Sequence, residues 1–284
     1  MKAFIFPGQG SQSVGMGRGL DTGIKLFDRA NDVLGYDLKK IVFEGPEDLL
    51  TKTENAQPAI LTCSIAMLEA LDEEQPDIVA GHSLGEYTAL VAAGVLSFED
   101  AVKLVNTRGK LMEKAVPAGK GAMAAIIGLE EEKLTGICRE VDGIVDLANI
   151  NTPVQIVISG ESDAVKSACA GADAAGAKRV VPLTVSGPFH SLLMKEIAEE
   201  FSAELEKYNF KDALIPVVSN VLAEKVQSAD QIKELLVKQL YSPVLWRQTI
   251  ENMVKYGVTD FKEVGPGKVL TGMLRKIISV GAKA

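Results

Sequence analysis

A serine between two glycines is the feature of this sequence best suited to covalent chemistry. Residues 81–85 read GHSLG, which fits the pattern G-x-S-x-G with Ser83 at its centre. This pattern typically places a nucleophilic serine on a sharp turn between a strand and a helix. A short apolar run, DIVA, precedes it, and a helical segment rich in small residues follows. Ser83 is therefore a candidate nucleophile, and the backbone N–H of Leu84, at the helix start, is a candidate donor to an oxyanion.

A nucleophilic serine needs a base, and histidine is scarce in this chain. The 284 residues include two histidines, His82 and His190. His82 directly precedes Ser83, so at a sharp turn its side chain is expected to point elsewhere and to support the turn. His190, in the loop SGPFHS, remains as the candidate base. No Asp or Glu stands in a convincing strand-end loop to complete a triad, so a backbone or amide carbonyl is an alternative partner for the second ring nitrogen of His190.

The composition excludes several classes of protein. A net charge of −8 argues against a general nucleic-acid binder. No apolar run approaches the roughly 20 residues of a membrane span, and the N-terminal apolar run is too short for a secretion signal. The three cysteines, Cys63, Cys138 and Cys169, have no C-x-x-C spacing, which disfavours a disulfide framework and a zinc site. We therefore expect a cytoplasmic protein without membrane or nucleic-acid partners.

Strands and helices alternate along most of the chain, which is typical of a parallel α/β sheet. Outside the middle of the chain the predicted strands are 2–6, 77–80, 215–219 and 260–264, and the predicted helices are 56–71, 86–93, 98–115, 191–207, 228–240, 243–256 and a last helix after the loop GPGK. Ser97 is the expected N-cap of the helix 98–115.

The middle of the chain has a different order of elements. It comprises a strand at 122–129, a helix at 130–141, strands at 144–150 and 154–160, a helix at 162–176 and a strand at 178–185. This β-α-β-β-α-β order is the ferredoxin-like signature. We therefore expect a small ferredoxin-like domain over residues 120–186, inserted into a large α/β domain formed by residues 1–119 and 187–284.

Six short blocks, read together, carry a resemblance to a known family. They are FPGQGSQ (6–12), GHSLGEY (81–87), RGKLMEKAVP (108–117), GAMAAIIGL (121–129), GPFH (187–190) and EVGPGKVLTG (263–272). In this order they resemble the malonyl-CoA:acyl-carrier-protein transacylases of bacterial fatty acid synthesis, nearly from end to end. The family's fold implies an α/β-hydrolase-like large domain with a parallel sheet and an inserted ferredoxin-like domain.

The resemblance also implies roles for individual residues. Ser83 becomes the nucleophile and His190 its base, with the backbone N–H groups of Gln9 and Leu84 as the oxyanion hole. The backbone carbonyl of Gln239 is then the group that orients His190.

The remaining implied roles concern the substrate. Arg108 is expected to bind the free carboxylate of the malonyl group, since a guanidinium pairs with a carboxylate through two hydrogen bonds. Asn149 and Asn151 are expected where the insert faces the cleft, and Phe189 follows the malonyl-selective form of its loop.

The implied reaction is a ping-pong transfer of malonyl from malonyl-CoA to the phosphopantetheine thiol of acyl carrier protein, through an ester on Ser83. Malonyl-CoA is the expected substrate, acyl carrier protein the expected partner, and a monomer without bound cofactor or metal the expected state. Two enzymatic alternatives remain open: a free-standing acyltransferase of a polyketide synthase, and a serine thioesterase or esterase. A non-catalytic carrier-docking module is disfavoured because the serine, the histidine and both oxyanion segments are present.

Overall fold

The computed structural model describes residues 1–72, 75–117, 119–185 and 187–281, without the side chains of residues 22 and 280. Its α-helices are α1 Asp21–Leu34, α2 Leu38–Glu44, α3 Glu47–Thr51, α4 Thr53–Glu69, α5 Leu84–Ala92, α6 Phe98–Lys114, α7 Glu131–Glu140, α8 Ser162–Ala174, α9 Ala198–Leu205, α10 Ala229–Gln239, α11 Trp246–Lys255 and α12 Val269–Gly281. A 3-10 helix, Leu192–Ile197, leads into α9.

The strands form two sheets. They are β1 Lys2–Phe6, β2 Ile78–Gly81, β3 Gly121–Ile127, β4 Val145–Thr152, β5 Gln155–Glu161, β6 Arg179–Pro182, β7 Val217–Val218, β8 Lys225–Val226 and β9 Asp260–Glu263. The first sheet has the order β8-β7-β2-β1-β9, in which β7, β2, β1 and β9 are parallel and β8 is antiparallel to β7. The second sheet has the order β4-β5-β3-β6 and is antiparallel throughout.

The parallel sheet is covered on both faces, as its uninterrupted apolar strands require. Along β1, Phe4 and Phe6 point into one buried cluster while Ala3 and Ile5 point into another, and β2 alternates in the same way. Because successive side chains of a strand project to opposite faces, the run AFIF contributes side chains to the apolar clusters on both faces of the sheet. This buried centre holds the end of β2 rigidly, and the GHSLG turn starts there.

The antiparallel sheet packs its own helices, α7 and α8, over a separate apolar cluster. It is joined to the rest of the molecule through β4. The N–H of Val244 donates to the carbonyl of Ala148 (2.8 Å), and the N–H of Ile150 donates to the carbonyl of Val244 (2.9 Å). This short parallel bridge attaches the second sheet to the segment that follows α10 and sets one wall of the cleft described below.

The mixed α/β fold with a parallel sheet is confirmed. The predicted strands and helices occur in the predicted order, including the β3-α7-β4-β5-α8-β6 series in the middle of the chain. Their bounds differ by a few residues: the last strand of this series ends at Pro182 rather than 185, and the segment 191–207 starts as a 3-10 helix. Ser97 caps α6, its side chain accepting a hydrogen bond from the N–H of Asp100. Four elements, α1, α2, α3 and β8, are not among those predicted from the sequence.

The predicted domain limits stay a prediction. Residue 186, the expected end of the insert, and residues 118 and 282–284, expected in the large domain, lie outside the described residues. Among the helices that the structure describes, none is long and apolar enough to cross a membrane.

Candidate active site

Ser83 sits on a sharp turn between β2 and α5, with φ 51° and ψ −106°. Such a backbone is strained for any residue other than glycine, and it projects the serine side chain away from both elements. The flanking glycines make the turn feasible. A Cβ at Gly81 would collide with the backbone of Gly85, and a Cβ at Gly85 would collide with the carbonyl of Phe6. The local sequence therefore builds a nucleophile elbow because strand, helix and β1 approach too closely for side chains.

Asn220 holds this turn from outside it. Its Oδ1 accepts a hydrogen bond from the backbone N–H of Ser83 (2.7 Å), and its Nδ2 donates to the carbonyl of Gly81 (2.7 Å). Asn220 is fully buried, so both backbone groups would lack a solvent partner without it. Asn220 is not among the predicted site residues, because it lies 137 positions from Ser83 and no local pattern marks it.

His190 lies beside Ser83 and is oriented by a carbonyl. Its Nε2 is 2.8 Å from Ser83 Oγ, and its Nδ1 is 2.8 Å from the backbone oxygen of Gln239. Since a carbonyl oxygen only accepts, Nδ1 carries the proton and Nε2 is free to accept one from the serine. The structure thus brings together the three residues that the sequence analysis predicts for nucleophile, base and orienting group.

The electrostatic surroundings keep His190 neutral. Burial, followed by the nearby positive charge of Arg108, lowers the pKa of His190 to about 3. A neutral imidazole with an unoccupied Nε2 lone pair is the form that can remove a proton from a hydroxyl group. The second histidine, His82, also has its pKa lowered by burial.

Arg108 reaches the serine from α6. Its Nη2 lies 3.3 Å from Ser83 Oγ and 3.0 Å from the Oε1 atom of Gln239, and its Nη1 lies 2.9 Å from the Oε1 atom of Gln57. Only 1% of Arg108 is exposed. Among the described residues it forms no salt bridge, so its hydrogen-bond acceptors are neutral. A buried cation without a paired anion is a site prepared for an anionic ligand.

A cleft of about 710 Å³ opens onto these groups. It is lined by Gln9, Gly10, Gln12, Asp48, Thr51, Lys52, His82, Ser83, Leu84, Arg108, Met112, Glu113, Met123, Asn149, Leu183, Thr184, Val185, Phe189 and His190. The antiparallel sheet contributes Met123 of β3 and Asn149 of β4, while Ser83 and Leu84 follow directly after β2 of the parallel sheet. The volume lies within the range typical of small-molecule sites.

The two predicted oxyanion segments face this cleft. Leu84 is the first residue of α5, so its N–H has no partner within the helix. Gln9 lies in the loop after β1, and its Nε2 contacts the hydroxyl of Thr53 (3.3 Å). Gly8 packs so closely on the carbonyl of His82 that a Cβ there would collide with it. The loop therefore sits directly against the serine turn, as two donors to one oxyanion require.

The three other predicted substrate residues differ in position. Asn149 and Phe189 line the cleft. Asn151 does not belong to its lining: its Oδ1 atom lies 2.8 Å from Nε2 of His82, whose ring packs edge-on against Trp246. Asn151 thus links β4 to the back of the serine turn. Asn149 lies two residues earlier on β4 and would share a face with Asn151 in a regular strand. The register of β4 against β5 shifts between Ile150 and Thr152, and this irregularity lets the two side chains face different sides.

Glu86 and Gln57 are two further buried polar groups that the sequence analysis misses. Glu86 is 3% exposed, and burial raises its pKa to about 7 against the opposing effects of hydrogen bonds from Gln239 and Asn220 and of the charge on Arg108. An acidic residue in the first turn of a helix is ordinarily solvated and interacts with the helix dipole. The sequence position of Glu86 therefore does not indicate that its side chain is buried at the site. The sequence position of Gln57 does indicate burial, because it is a polar residue within a largely apolar segment that forms the buried helix α4.

No metal centre is evident in the part of the chain that the structure describes, where no group of three His, Cys, Asp or Glu side chains could hold a metal ion. The groups that the cleft supplies are a serine with an adjacent neutral imidazole, backbone donors for an oxyanion, and a buried cation.

Comparison with known proteins agrees with this geometry. Residues 3–280 match the family model described as the acyl transferase domain. The chain belongs to the acyl transferase family. This acyltransferase is 51% identical over 284 residues to the malonyl CoA-acyl carrier protein transacylase of Bacillus subtilis (strain 168), covering 97% of this chain and 90% of the relative. It is 48% identical over 282 residues to a protein of the same name from Staphylococcus aureus, covering 97% and 92%.

Solved structures resemble this acyltransferase over nearly their full length. An acyl carrier protein S-malonyltransferase from Vibrio cholerae has a TM-score of 0.95 and 46% identity, covering 98% of this chain and 94% of that one. A type II PKS acyl-carrier protein in complex with its malonyl-transacylase gives a TM-score of 0.96 and 46% identity, covering 98% and 93%. The expected family is thus confirmed, and the enzyme is an acyltransferase.

Proposed function

We propose that this enzyme transfers a malonyl group from malonyl-CoA to the phosphopantetheine thiol of acyl carrier protein, through a malonyl ester on Ser83. The names of its relatives support the substrate and the acceptor. The single observation that carries the proposal is the guanidinium of Arg108, which forms no salt bridge within the described part of the chain and is buried 3.3 Å from the hydroxyl of Ser83. An acyl group on that serine would bring its far end next to a positive charge, and malonyl is an acyl group with a carboxylate there.

Acylation begins when His190 Nε2 takes the proton of Ser83 Oγ, 2.8 Å away. The oxygen attacks the thioester carbonyl of malonyl-CoA and forms a tetrahedral oxyanion, which accepts hydrogen bonds from the N–H groups of Gln9 and Leu84. The C–S bond then breaks, and His190 returns its proton to the departing thiolate. The products are free CoA-SH and malonyl esterified to Ser83.

Deacylation repeats these steps with the carrier thiol. His190 removes the proton of the phosphopantetheine thiol, the sulfur attacks the ester carbonyl, and a second oxyanion forms in the same place. When the C–O bond breaks, the proton on His190 returns to Ser83. The carbonyl of Gln239 at Nδ1 supports this double role, because it holds one tautomer of the imidazole throughout both half-reactions.

The remaining site residues shape the acyl pocket in this proposal. Arg108 binds the malonyl carboxylate, and the cleft positions of Asn149 and Phe189 support contacts with substrate. Asn151 is better described as a support of the serine turn, because its contact is with His82 rather than with the cleft.

The finer description of the fold belongs to the same proposal. The central parallel sheet with its serine elbow supports an α/β-hydrolase-like large domain over residues 1–119 and 187–284. The β-α-β-β-α-β order of an antiparallel sheet supports a ferredoxin-like insert over residues 120–186. We further propose that the enzyme acts as a cytoplasmic monomer with no resident cofactor, malonyl-CoA being a substrate.

The proposal is tested by mixing the enzyme with radioactive malonyl-CoA and a holo carrier protein. We expect malonyl-carrier to form far faster than free malonate. In the absence of carrier, labelled enzyme should accumulate with one malonyl group per chain. Hydrolysis as fast as transfer would instead identify a thioesterase and overturn the proposal.

A second candidate acceptor is the carrier protein of a polyketide synthase, favoured by the similarity to the malonyl-transacylase solved with such a carrier. The donor and the chemistry at Ser83 are then the same. Comparing kcat/KM for a fatty-acid carrier and a polyketide carrier decides between them, and we expect the fatty-acid carrier to be preferred.

A further inference from the structure

Gln239, the last residue of α10, contacts three parts of the site at once. Its backbone oxygen accepts from His190, and its side-chain Oε1 accepts from Nη2 of Arg108 (3.0 Å). Its Nε2 donates to Oε2 of Glu86 (2.7 Å) and to the backbone oxygen of Ser83 (3.2 Å). The side chain is 1% exposed, so water does not supply alternative partners.

A carboxamide can face Arg108 with either of its two ends, and only one of them fits. Arg108 has donors only, so it needs the oxygen end of Gln239. If the amide turned over, its NH₂ group would face the guanidinium and two sets of donors would oppose each other. Some group on the opposite side of the amide must therefore hold the NH₂ end.

Glu86 is placed to hold that end. Its Oε2 accepts from Nε2 of Gln239 and from the backbone N–H of Asn220 (3.2 Å). The backbone oxygen of Ser83 (3.2 Å) and Oδ1 of Asn220 (3.5 Å) also accept from Nε2, but both at longer distances than Glu86. Glu86 is the side chain that contributes an acceptor to the NH₂ end at short range.

We infer that Glu86 is a positioning residue for Arg108: it fixes the orientation of the Gln239 carboxamide, whose oxygen then holds the guanidinium beside Ser83. The inference rests on the proposed role of Arg108 in binding the malonyl carboxylate. It adds a determinant of donor choice that touches neither the substrate nor the reacting atoms.

The property of Glu86 that matters here is its acceptor oxygen rather than its charge. Both hydrogen bonds end on the same atom, Oε2. A protonated carboxyl group keeps one acceptor oxygen, and so does a glutamine side chain. Since the pKa of Glu86 is about 7, the group exists in both forms near neutral pH, and the orientation of Gln239 is expected to persist in each.

The test compares Glu86→Gln, which keeps an acceptor, with Glu86→Met, which has similar length and none. For each variant kcat/KM is measured with malonyl-CoA and with acetyl-CoA, together with the rate at which phenylmethylsulfonyl fluoride inactivates the serine. We expect Glu86→Met to lower the malonyl-to-acetyl ratio by at least about tenfold, the loss expected of one hydrogen bond to a charged group. Glu86→Gln should stay within about threefold of wild type.

The control is Glu204→Met on α9. The Glu204 carboxylate also accepts two side-chain hydrogen bonds, from Lys207 and Tyr208, but it lies outside the cleft. This variant is expected to leave the donor ratio unchanged. If Glu86→Met lowers both donors and serine inactivation equally, or changes none of them, the inference is wrong.

If Glu86→Met does not fold, Gln239→Met decides, because it removes the amide and leaves the backbone carbonyl for His190. An unchanged donor ratio in that variant overturns the inference, and a ratio lowered about tenfold or more supports it. Failure of the proposed function is recognised separately: the wild-type enzyme would then not transfer malonyl at all, or Arg108→Ala would leave the donor ratio unaltered.

Discussion

The guanidinium of Arg108 lies 3.3 Å from the hydroxyl of Ser83, and its other hydrogen bonds go to the neutral amide oxygens of Gln57 and Gln239. Burial lowers the pKa of Arg108 from its ordinary value, which reflects the cost of keeping a charge away from water. A substrate carboxylate would relieve that cost. A neutral acyl group on the same serine would not relieve it. The position of Arg108 therefore favours acyl donors that carry a free carboxylate over donors that do not.

Arg108→Ala should therefore change donor choice. The malonyl carboxylate would be buried without a partner, which costs about 2 kcal/mol or more, or about 30-fold or more in kcat/KM. Acetyl-CoA has no carboxylate and should lose little. Steady-state kinetics with both donors measures the ratio, and Lys103→Ala, an exposed change on the same helix, is the control. Equal losses for both donors would assign Arg108 to the fold or to the pantetheine arm.

Ser83→Ala should abolish labelling of the enzyme by radioactive malonyl-CoA. The variant keeps a Cβ, so the strained turn and its hydrogen bonds to Asn220 are retained while the nucleophile is lost. Mass spectrometry of the intact protein after brief exposure to malonyl-CoA gives the number of malonyl groups bound per chain. Ser202→Ala, at an exposed position of α9, should label like wild type. Stoichiometric labelling of the Ser83 variant would place the acyl group on another residue.

Both histidines should resist protonation compared with a free imidazole, and His190 should stay neutral from pH 5 to 8. Burial lowers the pKa of both, and the charge of Arg108 lowers that of His190 further, to about 3. With two histidines in the chain, NMR of the ring Cε1–H groups resolves each one, and His190→Gln assigns the signals. We expect the His190 signal not to titrate in this range, the His82 signal to titrate below the ordinary pKa of histidine, and the His190 titration to move upward in Arg108→Ala.

The same shift has a defined effect on stability. The unfolded chain binds a proton on histidine below a pKa of about 6.5, while folded His190 does not until about pH 3. Its contribution to the free energy of unfolding is therefore fully present above about pH 6.5 and is lost as the pH falls toward 3. A His190 signal that titrates near 6.5 in the folded enzyme would contradict both expectations.

Local signals account for what the sequence predicts well. The turn at Ser83 needs glycines at fixed positions next to it, and the cap at Ser97 needs one side chain three residues from its partner. Both features depend only on residues that are close together in the sequence. The antiparallel sheet is likewise a run of adjacent elements, so its order can be followed along the chain.

What the sequence does not predict depends on contacts between distant residues. Glu86 meets Gln239 across 153 positions, and Ser83 meets Asn220 across 137. Neither Glu86 nor Asn220 differs, in composition or spacing, from an ordinary exposed polar residue. The strand that carries Asn149 and Asn151 could be predicted, but the register shift that lets Asn149 face the cleft and Asn151 contact His82 could not.

Asn220→Ala should destabilise the enzyme more than an ordinary asparagine change. It leaves the N–H of Ser83 and the carbonyl of Gly81 buried without these partners, at about 1–3 kcal/mol for each group. Asn252→Ala is the matched control, because it also removes two side-chain hydrogen bonds, one to the carbonyl of Ala223 and one from the exposed Lys255, but at a half-buried site of α11. Urea denaturation measures both. Equal losses of stability would mean that Asn220 does not hold the turn.

Gly81→Ala and Gly136→Ala should have opposite effects on stability. At Gly81 an added Cβ meets the backbone of Gly85, which cannot move without displacing α5. We therefore expect the free energy of unfolding to fall by about 3 kcal/mol or more, or the variant not to fold. At Gly136, inside α7, nothing lies within 4 Å of the added Cβ. Alanine has the higher helix propensity, so this change should stabilise by about 0.5–1 kcal/mol.

The two glycine variants are compared by their denaturant midpoints and by the rate at which phenylmethylsulfonyl fluoride inactivates Ser83. Gly136→Ala should react with the inhibitor at the wild-type rate, because α7 lies in the antiparallel sheet's own core and does not line the cleft. Gly81→Ala, if it folds, should react more slowly, since any shift of α5 moves the hydroxyl of Ser83 away from Nε2 of His190. Wild-type stability and reactivity in Gly81→Ala would show that strand and helix can separate at this point without loss, and the elbow would not depend on its glycine.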